Sequence, residues 1–190
     1  MVNRETALSA HYNTGHFGLS GQTGVTLTEV KDLQLKQIAA WPETMAAVGA
    51  KAAAVAGCSE APGPCQSSNG SNAVLIRIEP LKWWLLGMDS NTELPELSSD
   101  EGATLDASHS RTCVRIEGEN AKDLLNRFLP IDLRDRSFGN GAVASTAFHH
   151  VGVTLIRRGD AYEMFIPRGF ALSLWELLVE SAEQFGVEVA

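Results

Sequence analysis

A chain of 190 residues that is 44% hydrophobic and 20% charged has the make-up of an ordinary folded protein, one domain or one domain with two lobes. Its net charge of -8, from 15 Lys and Arg against 23 Asp and Glu, leaves no basic face to neutralise phosphates, so nucleic acid is excluded as an expected partner. No apolar run reaches the roughly 18 residues of a membrane-spanning helix, and the first residues lack the charged region and apolar core of a secretion signal; a cytoplasmic chain with no membrane partner is the expectation.

Residues 1–24 carry four glycines, few large apolar side chains and no period, which predicts an extended N-terminal arm. The arm holds Tyr12, His16 and Phe17. It is either a frayed terminus or a strap that docks on a partner through Tyr12 and Phe17. The folded domain is expected over 25–190. Val25 to Trp41 reads as largely strand, without a clean face in its first half; Leu33, Leu35 and Gln37 fit a short strand. Pro42 opens a helix, where its missing donor costs nothing. Met45, Val48, Ala52 and Val55 make the stripe of that alanine-rich helix, and Gly57 ends it. Cys58 to Asn72 is loop by composition.

Ala73 to Gly87 reads as two strands interrupted at Pro80. Trp83 and Trp84 point to opposite faces of the second. Either both pack internally on two layers, or one meets a partner, since aromatics are enriched at interface centres. Met88 to Glu101 is acidic and polar and is the expected lobe boundary.

From Leu105 to Asp135 the chain reads turn, strand, turn, helix, stop. Asp106 to Arg111 is turn-prone. Thr112, Val114 and Ile116 alternate with Cys113 and Arg115. Ala121, Leu124, Leu125, Phe128 and Leu129 share one helix face, and Pro130 stops it. Ala142 to Phe148, Val151 to Arg157 and a strand holding Tyr162, Met164 and Ile166 form an antiparallel meander turning at His149-His150 and Gly159-Asp160. The fold class is therefore α+β, two-lobed, with antiparallel sheets packed with helices. A last helix runs from about Arg168 to Gln184. Phe170, Leu174, Leu177, Leu178 and Phe185 make its main stripe, and Leu172, Trp175 and Val179 an adjoining flank. That arc is wider than one packing surface needs. The flank is expected to meet a partner protein, unless the N-terminal arm covers it.

Little in the chain points to its own chemistry. Asp106, Ser108 and His109 are too close in sequence to form a triad, so Asp106 and Ser108 are read as caps of their turn. Cys58, Cys65 and Cys113 show no metal-ligand spacing and are read as free thiols. There is no Gly-x-Gly-x-x-Gly after a strand. No catalytic, cofactor-binding or metal-ligating residue is assigned.

The Asp-x-Ser-His turn at 106–109, the following strand, Gly118, the helix ending in Leu124-Leu125 and the Ile131-Asp132-Leu133 loop resemble the folate-binding fold of the glycine cleavage T protein. Within that superfamily, the Leu81-to-Gly87 segment, Pro130 to Arg134, Ala161 to Arg168 and the Phe170-to-Gly186 helix resemble the gamma subunit of heterotetrameric sarcosine oxidase. The resemblance covers roughly residues 25 to 190. It implies a non-catalytic subunit of a complex that oxidises sarcosine to glycine and a one-carbon unit, releasing hydrogen peroxide. It also implies alpha, beta and delta subunits as partners, chiefly alpha, with FAD, FMN, NAD and tetrahydrofolate held by the alpha and beta chains and zinc by the delta chain. The alternative is a free-standing folate-binding protein or one-carbon transferase of the T-protein type. The segment that matches the family's folate-holding acid, Phe148 to Leu155, carries no carboxylate, so the resemblance extends to the fold and stops short of folate.

Overall fold

The computed structural model describes residues 5–88 and 92–190. In chain order its strands are β1 (Gly15–Phe17), β2 (Val25–Val30), β3 (Leu35–Ala40), β4 (Ser67–Asn69), β5 (Val74–Glu79), β6 (Lys82–Leu86), β7 (Gly102–Asp106), β8 (Arg111–Glu117), β9 (Val143–Phe148), β10 (Val151–Arg158), β11 (Ala161–Pro167) and β12 (Val187–Val189). Its helices are α1 (Met45–Ala56), α2 (Ala121–Leu125) and α3 (Ala171–Ala182). The chain divides into two compact units, one of Met1–Lys31, Ser110–Asn140 and Ser145–Ala190, the other of Asp32–His109 and Gly141–Ala144. Of the polar segment expected to join two lobes, 89–91 lie outside the described residues. The rest belongs to the second unit, and the chain leaves that unit only after His109.

The second unit is a five-stranded sheet, β4-β5-β6-β3-β7, with α1 on one face. Ile38, Leu75, Trp83 and Leu85 pack there against Val48, Ala52, Ala53 and Ala56. Small side chains on α1 let it lie close: a Cβ on Gly49 would stand 3.3 Å from the Trp83 ring. The helix ends where Gly57 takes a left-handed φ of 73°. Trp84 points to the other sheet face, beside Ile76 and Gln37 in register, and is buried as fully as Trp83. Both tryptophans are therefore core residues, not surface anchors. Ser67 to Asn69, expected as loop, form the edge strand β4, and a chain return at Gln66↔Ala142 pins that edge.

The first unit is a seven-stranded sheet in the order β1-β12-β2-β8-β11-β10-β9. β8 lies inside it, antiparallel to β2 through Leu27↔Ile116 and to β11 through Val114↔Met164. The expected meander is present as β9, β10 and β11. One pair departs from the antiparallel expectation: β12 runs parallel to β2, with Val187 opposite Val25. β2 alternates cleanly between buried and half-buried positions because Glu29 turns inward and is only 5% exposed. The central helix stops at Leu125, and Asn126 to Leu129 finish it as tight turns such as Phe128 N–H to Leu125 O. In α3, Ala171, Leu174, Trp175, Leu178 and Ala182 are buried, the spacing of one helix face. The arm is part of this unit: Leu8 is fully buried and β1 pairs with β12.

Candidate functional site

The arm crosses α3 at Trp175. The Tyr12 ring stacks on the indole with centroids 5.1 Å apart and planes at 26°. The Tyr12 hydroxyl accepts from the Glu29 N–H at 2.8 Å and donates to the Ala190 carbonyl. Thr6 donates to Glu29 Oε2 at 2.9 Å. Three chain segments distant in sequence are thus tied at one point. Beside the stack lies a cavity of about 390 Å³. Phe17, Trp175, Val179 and Val189 supply its apolar wall, and Glu176 and Glu180 on α3 with Glu183 just beyond its end its acidic rim. His16 stands 3.6 Å from Glu188 on the neighbouring strand.

Burial raises the Glu29 carboxyl above the ordinary carboxylate range, against the pull of the Thr6 hydrogen bond and of Lys31 and Arg168. The folded chain therefore holds this proton more tightly than the unfolded chain. The stability it contributes is complete below the ordinary carboxylate range and is lost as pH rises through the raised value. Glu29→Gln removes that decline. Denaturant unfolding should show the variant gaining on the wild type as pH rises out of the ordinary carboxylate range.

A second groove of about 360 Å³ lies at the β10–β11 end of the same unit. Arg157, 8% exposed, donates to Asp135, to the Phe138 carbonyl and to the Gly159 carbonyl at 2.6, 2.9 and 2.9 Å. Lys122 also bonds Asp135, and the two cations hold the Asp135 carboxyl below its ordinary value. The Tyr162 hydroxyl is buried without a hydrogen-bond partner among the described residues, and burial raises its pKa. The arrangement is a structural ion-pair network that fixes the loop after α2. It offers neither a nucleophile beside a base nor a cluster of ligands. Among the described residues no three His, Cys, Asp or Glu side chains converge on a metal position, and no helix is long and apolar enough to cross a membrane.

Asp106 caps its own turn as its sequence suggests, whereas Ser108, read as a second cap of that turn, bonds the start of β3 instead. Asp106 accepts from the Ser108 N–H at 3.0 Å, and Ser108 Oγ accepts from the Leu35 N–H at 3.0 Å. Lys36, and then Ser108, hold the Asp106 carboxyl well below the usual range. His109 is exposed. Cys113 is 1% exposed and burial pushes its thiol up, which leaves it unreactive. His149 holds a left-handed φ of 59° at the β9–β10 turn.

Of the residues expected at a partner interface, Trp83, Trp84 and Trp175 are buried by this chain itself, at 1%, 3% and 3% exposure. Tyr12, Phe17, Leu172 and Val179 are half-buried. The structure gathers Tyr12, Phe17, Trp175 and Val179 at the arm–helix contact and leaves Leu172 on the α3 surface away from the cavity. Glu29 and Val189 were missed. Glu29 falls in the same alternating row as Val25 and Leu27, in a stretch with no clean face, and three residues at 187–189 are too short to show a period.

No family model matches the chain, and no curated protein matches it in sequence. Solved structures do match. A chain of the heterotetrameric sarcosine oxidase from Corynebacterium sp. U-96, solved with pyrrole 2-carboxylate, superposes with a TM-score of 0.81 over 96% of both chains at 22% identity. The glycine cleavage system aminomethyltransferase T from Bartonella henselae superposes with a TM-score of 0.60 at 16% identity, over 89% of this chain and 48% of that one. The present chain thus spans about half the length of the aminomethyltransferase. Its α+β fold is the one shared by that sarcosine oxidase chain and the T-protein aminomethyltransferases.

Proposed function

We propose that this chain is a non-catalytic, gamma-type subunit of a heterotetrameric sarcosine oxidase, acting by burying surface against larger subunits, chiefly alpha. One observation carries the reading: the match to a chain of such an oxidase runs over 96% of each partner, so the two are nearly equal in length as well as in fold. The complex would oxidatively demethylate sarcosine to glycine, with release of hydrogen peroxide and a one-carbon unit. FAD, FMN, NAD, tetrahydrofolate and zinc would reside on the alpha, beta and delta chains. The residues of this chain do not fit a reduced folate. From Phe148 through the His149-His150 turn and along β10 to Leu155 there is no carboxylate, and Val151, Val153 and Leu155 are buried. Half-buried Phe17 and Val179 beside Glu176, Glu180 and Glu183 form the surface offered to a partner.

Native mass and visible absorbance test this, with the chain purified alone and then co-expressed with the products of its neighbouring genes. The expected result is a colourless single chain that enters a yellow, flavin-containing assembly with sarcosine-dependent peroxide release. A colourless monomer that ignores those products and binds a reduced folate overturns the proposal in favour of a free-standing one-carbon protein.

A further inference from the structure

The cavity beside the Tyr12–Trp175 stack carries more negative charge than its own chain neutralises. Glu176 and Glu180 stand one turn apart on α3, and Glu183 is the C-cap residue of that helix. All three are exposed, and none takes part in an ion pair among the described residues. His11 is the one basic side chain in the lining. His16, on the arm, faces Glu188 instead. Arg127, near the same helix end, is held by Gln184 and lies over the Phe185 ring. The helix by itself gains nothing from this arrangement. Like charges at i, i+3 and i, i+4 repel each other. The partial negative charge at a helix C-terminus adds to that repulsion, and the last turn of α3 holds no basic residue. A cation brought from outside the chain relieves both.

We propose that this groove takes a basic, extended segment of the partner protein, with Arg or Lys at alternate positions. Charge and spacing select that occupant. Glu176 and Glu180 are about 6 Å apart along the helix axis, four residues at about 1.5 Å each. Alternate side chains of an extended segment are about 6.6 Å apart. Two basic side chains of one segment therefore meet two carboxylates at once. Their aliphatic stems lie along Phe17 and Val179, the half-buried part of the apolar wall. A single metal ion does not fit, because no three His, Cys, Asp or Glu side chains converge on a metal position among the described residues. A purely apolar segment does not fit either, since it would strip water from carboxylates that it cannot pair. The chain's net charge of -8 steers a basic segment towards it. The inference rests on the subunit reading for which protein supplies the segment, and adds the chemistry by which that protein is recognised.

Calorimetric titration of the full chain with two short peptides tests the groove, one alternating Arg with Leu and the other Gln with Leu. The wild type should bind the Arg peptide about tenfold or more tightly than the Gln peptide, with the difference shrinking as salt rises. Glu176→Gln, Glu180→Gln and Glu183→Gln made together should abolish that preference. The same triple variant should unfold at a Tm no lower than that of the wild type, because the helix loses its like-charge repulsion; a lower Tm would assign the carboxylates to the fold and overturn the proposal. In the co-expressed assembly it should raise the dissociation constant about tenfold or more. Equal affinity for the two peptides, including none for either, overturns the proposal. So does spermidine bound as tightly as the Arg peptide, which points to a free polyamine. An assembly that the triple variant joins unchanged overturns the basic segment and leaves the subunit reading intact. Preference for the Arg peptide with no assembly sinks the subunit reading and leaves the groove to another protein.

Discussion

Trp175→Ala is expected to lower the unfolding free energy by about 3–5 kcal/mol, read from urea denaturation at constant slope. The indole is 3% exposed and packs on the arm as well as on its own unit's core. Removing it opens a cavity and also ends the stack with Tyr12, which adds about 0.5–1.5 kcal/mol beyond area. The Tyr12 hydroxyl then loses the ring that holds it over Glu29 and Ala190. Proteolysis should therefore cut the arm faster in the variant, well before global unfolding. A Trp175 that served chiefly as a partner anchor would behave otherwise: the isolated variant would be about as stable as the wild type, and only assembly would suffer. That outcome would sink the assignment of Trp175 to the core.

Gly186→Ala should destabilise by about 3 kcal/mol or more, visible as a large drop in Tm. Gly186 has a φ of 69°, which an L side chain adopts only under strain, and its Cβ would lie 1.8 Å from the Gln22 carbonyl oxygen. The obstacle is backbone, so no rotamer relieves it. The same residue's carbonyl accepts from Gly24 and Val25 at 2.9 and 3.2 Å. Any shift that made room would pull β12 away from β2. A variant with wild-type Tm would show that this junction is far softer than its hydrogen bonds imply.

The α+β class, α1, α3, β5, β6 and the run from β8 to β11 were legible because each spans enough residues to display a period and is bounded by Gly or Pro. Strands β1, β4 and β12 have three residues each, below the length at which alternation is visible. β7 was missed for another reason: four exposed residues in five show no buried face to read. The wide apolar arc of α3 was read correctly as needing cover, but the sequence admitted two sources for it, a partner or the arm. The fold lays the arm's Tyr12 on Trp175 and leaves Leu172 and Val179 of that flank half-buried. The first half of the Val25-to-Trp41 stretch showed no clean face because its buried row includes the carboxylate of Glu29, which Thr6, twenty-three residues earlier, bonds. At the candidate interface, Phe17 and Val189 come from strands that only the fold brings there.

The place of β12 between β1 and β2 has a consequence for the order of assembly. During synthesis the 32–109 stretch of the second unit emerges as one run and can collapse early. The first unit cannot follow suit. β2 is made early, yet its parallel neighbour follows more than 150 positions later by the Val25↔Val187 register. Until then β2 has a bare edge and the arm strand β1 has no neighbour. Such long-range pairing is slow and leaves strands exposed to wrong partners. The nascent chain should therefore depend on chaperones chiefly at β1 and β2, which are finally placed by β12.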